Sequence, residues 1–452
     1  MFTESPFSQT GPARRPTVSL LTLGCKLNQA ESEGLALELA RRGYCVLSRE
    51  SPADVFVVNS CTVTHVADQK TRQLLHRLRR ANPEAKIVVT GCYAERAPEL
   101  VAGVAEVDAV VPNADKEGLV AIVEGLAPAG SGLEELPSLA NGRTPLRRVR
   151  SIVKVGDGCD KFCSYCIVPY TRGRERSEPL DSVIRAVQDR VREGCLEVVL
   201  TAVNLGRWGA EWHRDGKSAL PGLLHALLEQ TSVRRLRLSS IEPEDFHPDL
   251  IYLLRNERVC RHLHLPLQSG SETVLQRMRR RYDRAAYAKL VEVLRKEIPG
   301  LAVTTDVLVG FPGETEEEFE QTCEFVSAME FAAVHIFRYS PRPGTAAAQM
   351  AGQIPATVKS QRASRLAAIA EVGKLRFQRS LIGERPDVLY EGPLNSATLS
   401  KGGRVWRGLT DNYVRVYCPS DESLANRLVA TTLVGEHQNG LWGDVSPVAG
   451  CN

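Results

Sequence analysis

The sequence predicts an α/β protein built from an N-terminal small α/β domain with a parallel sheet, a central partial (β/α)6 barrel and a C-terminal small β-barrel. Two observations support this prediction. Apolar, β-branched runs alternate with helical patterns over most of the chain, which is typical of parallel βαβ units. The stretch 381–452 contains only short β-rich runs separated by Gly, Asn and Asp. At 452 residues the chain is also too long for a single core.

The first domain is predicted to span 17–126, after a Pro- and Ser-rich start at 1–16 that we expect to be disordered. Its predicted strands are the apolar runs at 17–23, 55–58, 86–90 and 107–112. The helical patterns that follow these strands lie at about 30–42, 66–81, 93–102 and 115–125. Small and turn-forming residues over 127–146 indicate a linker to the next domain.

Cysteines follow the first three of these strands directly, at Cys25, Cys61 and Cys92. Ligands of an open parallel sheet bind beyond the carboxyl ends of its strands, so we expect these thiols to lie together. A lone thiol is usually a buried core residue, and this is what we expect of Cys45. Three thiols in equivalent positions instead predict a shared site.

The central part, 147–380, repeats strand and helix six times. The predicted strands are 152–155, 197–201, 236–239, 262–265, 303–309 and 334–337. The predicted helices are 179–193, 221–231, 247–256, 271–297, 315–328 and 356–380. Such a mostly parallel sheet is either doubly wound or a barrel short of two repeats. In both cases the functional site lies at the carboxyl ends of the strands.

Three further cysteines, Cys159, Cys163 and Cys166, follow the first strand of this part within eight residues. Thiolates are the ligands that iron–sulfur clusters and zinc prefer. A closed zinc site or a fully ligated four-iron cluster takes four ligands, so three predict a metal centre with one open coordination position. The alternative is a structural zinc site with a distant fourth ligand, such as Cys195 or a histidine.

Other polar groups belong to the same part of the chain. The loop 170–176 supplies three guanidinium groups, which suit pairing with phosphate or carboxylate or form a solvated basic loop. His262 and His264 share one strand face, where core or hydrogen-bonded roles are favoured over metal ligation. Thr315 and Glu318 have the spacing of a capping box.

The tail, 381–452, is predicted to form a small β-barrel from runs at 388–390, 404–406, 412–417 and 428–434. Such barrels often bind single-stranded RNA through aromatic and basic groups. The candidates here are Trp406, Tyr413, Arg415 and Tyr417. The tail has 6 basic and 8 acidic side chains, so a structural cap is an equally good interpretation.

Composition narrows the class of protein. Apolar content of 43% and charged content of 25% are typical of a soluble globular protein. No apolar run is long enough to span a membrane, and the N-terminus lacks the basic start and apolar core of a signal peptide. We therefore expect a cytoplasmic location and no membrane partner. Twelve cysteines in such a chain favour metal or catalytic use over disulfides.

The cysteine motif at 159–166, with an aromatic residue before its last cysteine, resembles the radical S-adenosylmethionine signature. Motifs at 23–29, 59–64 and 90–93 surround the other cysteines, and the tail resembles the RNA-binding TRAM domain. Together they make the chain similar to the methylthiotransferases over roughly 17–450. The motifs most like the MtaB type of this family are 23–29, 201–206, 236–243, 262–270 and 412–416.

This resemblance implies that 147–380 is a radical-SAM partial barrel and that 381–452 is a TRAM-like β-barrel. It implies two [4Fe-4S] clusters and S-adenosylmethionine (SAM) as cofactors. The cluster on Cys159, Cys163 and Cys166 would bind SAM and cleave it to a 5′-deoxyadenosyl radical, which removes the hydrogen from C2 of an adenine. The cluster on the second triple, Cys25, Cys61 and Cys92, would be the source of the transferred sulfur.

Further site residues and partners follow from the same resemblance. Tyr165, Ser240, Gln268 and Gly310 would line the SAM pocket. The implied partners are tRNA and a low-potential electron donor such as flavodoxin or ferredoxin, and we expect a monomer. No catalytic acid or base is assigned.

The implied reaction is methylthiolation of C2 of N6-threonylcarbamoyladenosine at position 37 of tRNA. One alternative is the same chemistry on isopentenyladenosine in tRNA or on an aspartate of a ribosomal protein. A second alternative, from another class, is a zinc-stabilised RNA-binding protein without catalysis.

Overall fold

The computed structural model describes residues 15–47, 50–128, 149–398 and 404–446, and side chains of 395–398 are excepted. The chain divides into two compact units, Met1–Arg147 and Arg148–Asn452. The start predicted to be disordered and the predicted linker lie almost wholly outside the described residues. The finer division into five segments stays a prediction.

The first unit contains a five-stranded sheet in which all the neighbouring strands are parallel. Its strands are β1 Thr17–Thr22, β2 Cys45–Leu47, β3 Val55–Ser60, β4 Lys86–Gly91 and β5 Ala109–Val111, in the order β2-β1-β3-β4-β5. Its helices are α1 Lys26–Arg41, α2 His65–Ala81, α3 Cys92–Arg96, α4 Pro98–Ala102 and α5 Leu119–Leu126. A 3-10 turn, Asn113–Gly118, leads into α5.

Helices cover both faces of this sheet, which is why its central strands are apolar throughout. Along β3, Val55 and Val57 pack into one hydrophobic cluster, whereas Phe56 and Val58 pack into another. The two clusters lie on opposite faces because successive side chains of a strand alternate. The sheet is therefore sandwiched between helices, and its carboxyl edge is where a ligand of such a sheet binds.

Three details of the first unit differ from the sequence prediction. The prediction that Cys45 is a buried core residue is wrong: it is exposed at the first position of the short edge strand β2, while Val46 points inward. The first helix begins at Lys26, earlier than predicted and directly after Cys25. The helix predicted at 93–102 is divided at Ala97 because Pro98 lacks the N–H that a continuous helix needs.

The second unit begins with the predicted βα repeats. Its strands are β6 Arg150–Lys154, β7 Gly156–Asp157, β8 Arg176–Ser177, β9 Glu197–Thr201, β10 Arg235–Leu238, β11 His262–His264, β12 Ala302–Val309 and β13 Ala333–Arg338. Its helices are α6 Val168–Arg172, α7 Leu180–Arg192, α8 Leu220–Gln230, α9 Leu250–Leu254, α10 Glu272–Arg277, α11 Arg284–Glu297, α12 Glu316–Met329, α13 Ala346–Gln349 and α14 Ala356–Arg379. Short 3-10 turns lie at Leu205–Arg207, Ala210–Trp212 and Pro243–Asp245.

Six parallel strands form the partial barrel that the sequence predicts. They make two three-stranded sheets, β6-β9-β10 and β11-β12-β13, and β7 and β8 pair separately as a short antiparallel ribbon. Single parallel bridges, Leu236 with Val259 and Ser240 with His264, connect the two sheets. The capping box is also confirmed: Glu318 N–H donates to Thr315 Oγ1 over 3.2 Å, and Thr315 N–H donates to Glu318 Oε2 over 2.9 Å. Among the described residues, no helix is long and apolar enough to cross a membrane.

The tail forms one six-stranded, mostly antiparallel sheet. Its strands are β14 Asp387–Thr398, β15 Arg404–Leu409, β16 Arg415–Ser420, β17 Arg427–Ala430, β18 Thr432–His437 and β19 Gly440–Asp444. The order is β17-β14-β15-β16-β19-β18, and only β16 and β19 pair in parallel. The prediction merged β17 with β18, which Thr431 separates, and it missed β19.

The structure uses two aromatic side chains of the tail for packing, so the prediction that they contact RNA is wrong for Trp406 and Tyr417. Trp406 is buried in the core of the sheet, and its Nε1–H donates to Ser420 O over 3.1 Å. Tyr417 is also buried, and its ring contacts the rings of His437 and Trp442. Arg415 is exposed, and its role stays a prediction.

Tyr413, the third aromatic candidate, closes the amino end of the barrel. The guanidinium of Arg237 lies 4.6 Å from the centre of its ring, and the ring of His262 lies 4.8 Å away. Arg237 is fully buried, pairs with Glu197 over 2.7 Å and donates to Asp411 O over 2.7 Å. The tail is therefore held to the barrel by a buried polar network.

Candidate metal centres and cofactor pocket

The structure brings Cys25, Cys61 and Cys92 to the same edge of the first unit. They follow β1, β3 and β4, which are adjacent in the sheet, so the three cysteines occupy neighbouring strand ends. Cys25 is exposed, whereas Cys61 and Cys92 are buried. Burial, together with the nearby Cys92 and Cys25 thiols, raises the pKa of Cys61 to about 11. Ionisation of Cys61 therefore requires a compensating positive charge nearby, such as that of a metal centre.

Close backbone approach builds this site. Gly24 has a φ of +109°, and a Cβ added there would lie 2.7 Å from Cys61 Cβ. Asn28 links the strand ends, because its Nδ2 donates to both Leu23 O and Ser60 O over 2.9 Å. Its Oδ1 lies 3.7 Å from the sulfur of Cys25. Asn28 is therefore a positioning residue, which the sequence analysis included in a motif without giving it a role.

The cysteines of the second unit, Cys159, Cys163 and Cys166, lie in the loop after β6. Cys159 N–H donates to Gly173 O over 3.0 Å, and Cys166 N–H donates to Cys163 O over 3.0 Å, which folds the loop into a compact turn. Burial raises the pKa of Cys159 to about 11 and that of Cys166 to about 12. Both thiols are therefore protonated near pH 7, and a cationic metal centre would favour their ionised form.

The start of this loop is fixed by Asp157 and Gly158. Asp157 accepts from Gly158 N–H over 2.8 Å and pairs with the buried Arg172 over 3.0 Å. Gly158 has a φ of +74°, and a Cβ there would lie 1.8 Å from Arg174 O. Of the three predicted guanidinium groups, Arg172 therefore has a structural role, whereas Arg174 and Arg176 are exposed.

Two basic side chains, Lys161 and Arg280, link the same loop to the segment that follows β10. Lys161 is buried and pairs with Glu244 and Asp245. Arg280 pairs with Glu242 and reaches Cys163, with 3.4 Å between Arg280 Nη1 and the sulfur. Arg280 therefore connects Cys163 to Glu242, which lies in the segment after β10. The sequence analysis missed the contacts of both basic side chains because their partners are distant in sequence.

The arrangement of the thiols favours clusters over single ions. A tetrahedral zinc with Zn–S bonds of about 2.3 Å needs sulfurs about 3.8 Å apart. Over the described parts of the chain, the only trio of possible ligand atoms that all lie within 4.8 Å of one another is made by His264, Asp306 and His335, and neither cysteine triple meets this limit. Neither triple is therefore arranged as a mononuclear zinc site, and each supplies the three thiol ligands of a cluster with one open position.

Cys195 is poorly placed as a fourth ligand of a zinc site on Cys159, Cys163 and Cys166. It lies just before β9, whereas the triple follows β6, and these strands are parallel with Arg150 opposite Glu197. The two positions are therefore at opposite ends of the sheet. The sulfur of Cys195 instead donates to Glu197 O over 3.0 Å.

The four predicted SAM-pocket residues lie at the carboxyl ends of the barrel strands. Tyr165 packs against the cluster that contains Phe311, next to Gly310. Ser240 and Gln268 form single parallel bridges with His264 and Val307 respectively. Gln268 has a φ of +65°, a conformation that a side-chain-bearing residue keeps only when its surroundings impose it.

The Gly310 loop is held by side chains from its own unit. Gly310 N–H donates to Glu314 Oε2 over 2.7 Å, and Glu314 pairs with Arg362 over 2.7 Å. Gly310 has a φ of +72°, and a Cβ there would lie 2.3 Å from Lys359 Cγ. The N–H of Gly310 is therefore already used within the protein, which leaves its carbonyl and the adjacent backbone for a cofactor.

Comparison with known proteins decides the family. The chain matches two family models: uncharacterized protein family UPF0004 over residues 17–112 and the radical SAM superfamily over residues 153–326. A relative from Bacillus subtilis, named threonylcarbamoyladenosine tRNA methylthiotransferase MtaB, is 35% identical over 427 residues, 92% of this chain and 94% of the relative. The chain belongs to the radical SAM methylthiotransferase family. It is therefore an enzyme whose cofactors are SAM and [4Fe-4S] clusters.

Other members of the methylthiotransferase family carry two different substrate names. A relative from Thermotoga maritima with the MtaB name is 38% identical over 394 residues, 85% of this chain and 88% of the relative. A relative from Moorella thermoacetica, named tRNA-2-methylthio-N(6)-dimethylallyladenosine synthase, is 36% identical over 442 residues, 93% of this chain and 96% of the relative. These relatives are all named for a reaction on tRNA, while their names differ in the nucleoside that is modified.

Among solved structures, a similar fold occurs in the radical S-adenosylmethionine methyltransferase TsrM from Kitasatospora setae. The TM-score is 0.54 at 15% identity, covering 74% of this chain and 77% of that one. At this identity the likeness supports the α/β architecture of the methylthiotransferase and nothing further.

Proposed function

We propose that this methylthiotransferase modifies C2 of N6-threonylcarbamoyladenosine at position 37 of tRNA. The observation that carries the proposal is the second set of thiols, Cys25, Cys61 and Cys92, on three adjacent strand ends. An enzyme that only generates a radical from SAM needs the set at 159–166 alone. A second set of ligands fits a reaction that also inserts sulfur.

The choice of nucleoside rests on two supports. The motifs at 23–29 and 262–270 are most like the MtaB type, and the relatives from B. subtilis and T. maritima carry that name. The name of the M. thermoacetica relative supports N6-dimethylallyladenosine, the nucleoside also called isopentenyladenosine, as the second candidate. Both substrates are adenosines modified at N6, so the same reaction at C2 serves either.

The chain's own residues would prepare the reaction by holding, orienting and shielding. Cys159, Cys163 and Cys166 would hold one cluster, and Cys25, Cys61 and Cys92 the other. Bound there, the clusters and SAM supply the one-electron chemistry and the sulfur and methyl groups that an unactivated C2–H requires. The Arg280 guanidinium, which contacts the sulfur of Cys163 and pairs with Glu242, would hold the cysteine loop in place.

The pocket for SAM would be lined by the backbone of Tyr165, by Ser240 and Gln268, and by the Gly310 loop. Its walls are rigid, because Gln268 is bridged into the sheet and the Gly310 loop is held by Glu314. Rigid walls favour a productive orientation of the bound cofactor. We expect tRNA as the macromolecular partner, flavodoxin or ferredoxin as electron donor, and a monomer acting in the cytoplasm.

The test is nucleoside analysis of tRNA from a strain that lacks this gene. We expect the hydrolysate to lose 2-methylthio-N6-threonylcarbamoyladenosine, to accumulate the unmethylthiolated form and to keep the dimethylallyl derivative unchanged. Loss of the methylthio group from dimethylallyladenosine alone would replace the proposal with its second candidate. No change in either nucleoside would reject a tRNA substrate and direct the search to a ribosomal-protein aspartate.

Complementation assigns the result to the second cysteine set. The wild-type gene and a Cys45→Ala variant should restore the nucleoside, because Cys45 is exposed at the start of β2 and outside both triples. Cys61→Ala should not restore it, although the purified variant should still cleave SAM. Complete loss of SAM cleavage in that variant would contradict the separate roles of the two sets.

A further inference from the structure

The second half of the barrel has a polar inner face near its mouth. On β11, β12 and β13, outward-facing residues such as Leu263 and Val307 pack into the hydrophobic core. The alternate residues include His264, Asp306 and His335, whose ligand-type atoms all lie within 4.8 Å of one another. Three titratable side chains from three adjacent strands thus converge on one point inside the barrel.

Hydrogen bonds orient this polar trio, which we define as His264, Asp306 and His335. His264 Nδ1 lies 3.0 Å from Thr304 Oγ1, and His264 Nε2 lies 3.2 Å from Asp306 Oδ1. Asp306 is directly opposite His335 in the strand register. The Asp306 side chain is 27% exposed and His335 is exposed, so both present polar atoms to the interior space.

The trio lies at the level of the proposed SAM pocket. His264 bridges to Ser240, and Gln268 N–H donates to Asp306 O over 2.7 Å. Ser240 and Gln268 are two of the proposed cofactor residues. A group bound at the trio would therefore be a direct neighbour of bound SAM, which is where the reacting nucleoside has to be.

An aromatic side chain extends the same face toward the mouth. Phe337 lies two residues beyond His335 on β13, so both point to the same side of the strand, about 7 Å apart along it. Phe337 is 46% exposed, which is unusual for a phenylalanine inside a barrel. An exposed ring next to hydrogen-bonding groups is the arrangement that proteins use to stack and read an unpaired base.

We propose that the polar trio binds the threonylcarbamoyl substituent on N6 of adenosine 37 and that Phe337 stacks on the adenine. This inference rests on the proposed function and names the residues that select its substrate. The substituent carries urea N–H groups and a hydroxyl, from which the Asp306 carboxylate can accept, and carbonyl and carboxylate oxygens, to which the His335 imidazole can donate. A dimethylallyl group offers no hydrogen-bonding partner, so it would displace water from Asp306 and His335 without replacing the hydrogen bonds of that water.

The expected selectivity follows from that mismatch. Each buried polar group left without a partner lowers binding of the wrong substrate about tenfold to hundredfold. We therefore expect the reconstituted holoenzyme to prefer full-length tRNA with threonylcarbamoyladenosine over tRNA with dimethylallyladenosine, as measured by kcat/KM. His335→Phe should lower kcat/KM on the first substrate at least tenfold and leave that on the second unchanged or higher.

Two variants and one control make the roles distinguishable. Phe337→Leu removes the stacking ring, so it should raise KM about tenfold for both substrates and leave their ratio unchanged. His225→Phe is the matched control, because His225 is exposed on α8 and far in sequence from the trio. Iron content and the circular dichroism spectrum should be the same in all four proteins, which excludes unfolding as the cause.

The outcomes separate the two proposals. If wild-type enzyme modifies only dimethylallyladenosine, the proposed function fails. If it modifies threonylcarbamoyladenosine but His335→Phe keeps the wild-type ratio within twofold, the function stands and the trio is excluded as its selector. The trio also has the two-histidine, one-carboxylate composition of a divalent-cation site. Selectivity that a chelator removes at constant iron content and a divalent cation restores would overturn direct recognition.

Discussion

Gly24→Ala should remove the cluster site of the first unit and leave that of the second unit intact. Gly24 has a φ of +109°, a conformation that costs a residue with a side chain roughly 1–3 kcal/mol. The added Cβ would also lie 2.7 Å from Cys61 Cβ and 3.1 Å from its sulfur, and relieving such a contact costs about 1–3 kcal/mol. The total of about 2–6 kcal/mol falls on the loop between β1 and α1, so the loop should move and displace the thiols.

The assay measures iron per chain and SAM cleavage in anaerobically reconstituted protein. We expect about eight irons in the wild-type enzyme and about four in the variant, because each [4Fe-4S] cluster contributes four. The variant should still produce 5′-deoxyadenosine, since Cys159, Cys163 and Cys166 are untouched, but should form no methylthiolated nucleoside. Gly34→Ala is the matched control: it lies on α1, and an added Cβ there has nothing within 4 Å.

Two results would refute this reasoning. About eight irons and full activity in Gly24→Ala would mean that the contact with Cys61 is relieved without moving its sulfur. Simultaneous loss of SAM cleavage would mean that the two sites are not independent. The control should keep about eight irons and gain roughly 0.5–1 kcal/mol of stability, because alanine is the better helix former.

Three further predictions follow from the second unit. Gly158→Ala, whose Cβ would lie 1.8 Å from a backbone carbonyl oxygen, should give about four irons and no 5′-deoxyadenosine, measured as above. Glu318→Gln weakens the bidentate pair with Arg277 and should lower stability at pH 7 by about 1–3 kcal/mol. That pair and further hydrogen bonds lower the pKa of Glu318 to about 2. The contribution of Glu318 to stability is therefore present above pH 4.5 and is lost toward pH 2. The difference in melting temperature between wild type and variant should narrow as the pH falls. Glu197→Gln leaves the buried Arg237 guanidinium without its counter-charge and should destabilise the second unit by about 3–5 kcal/mol in denaturant unfolding.

Two control variants lie in the same unit. Gly222→Ala on α8 adds a Cβ with nothing within 4 Å and should keep both clusters. Glu229→Gln, at an exposed position of the same helix, should change the melting temperature little at any pH. If Glu318→Gln keeps a constant gap to wild type from pH 7 to pH 3, the low pKa of Glu318 is contradicted. If Glu197→Gln unfolds like wild type, the buried pair does not hold the tail to the barrel.

The sequence was most informative where buried strands meet functional loops. The strand predicted at 197–201 has the same bounds in the structure, because a strand buried on both faces is a continuous apolar run with clear ends. The ends of such strands in turn locate Cys25, Cys61 and Cys92 at one edge. For these thiols, local pattern and topology together are sufficient, and no side-chain detail is needed.

Sequence reasoning was least informative where a contact joins distant segments. Nothing near Cys163 predicts Arg280, which is 117 residues away and reaches it only because α10 ends beside the loop. Tyr413 and Trp406 show a different limit. The sequence shows that both are aromatic. Only the packing of the tail decides that Trp406 lies in the core of the sheet and that Tyr413 closes the barrel.

The alternating strands of the barrel carry one more signal. Parallel strands covered on both faces are usually apolar throughout, yet β10 reads Arg-Leu-Arg-Leu and β11 reads His-Leu-His. Such alternation requires a polar face, which a doubly wound sheet with helices on both sides would leave unsatisfied, whereas a barrel encloses it. At the amino end, Arg237 donates to a backbone carbonyl of the tail, and the ring of His262 packs against Tyr413. His264 lies two residues further along β11 than His262. There it faces the mouth of the barrel together with Asp306. The same alternation that makes the interior polar thus ends in a site whose natural partner is the polar part of a substrate.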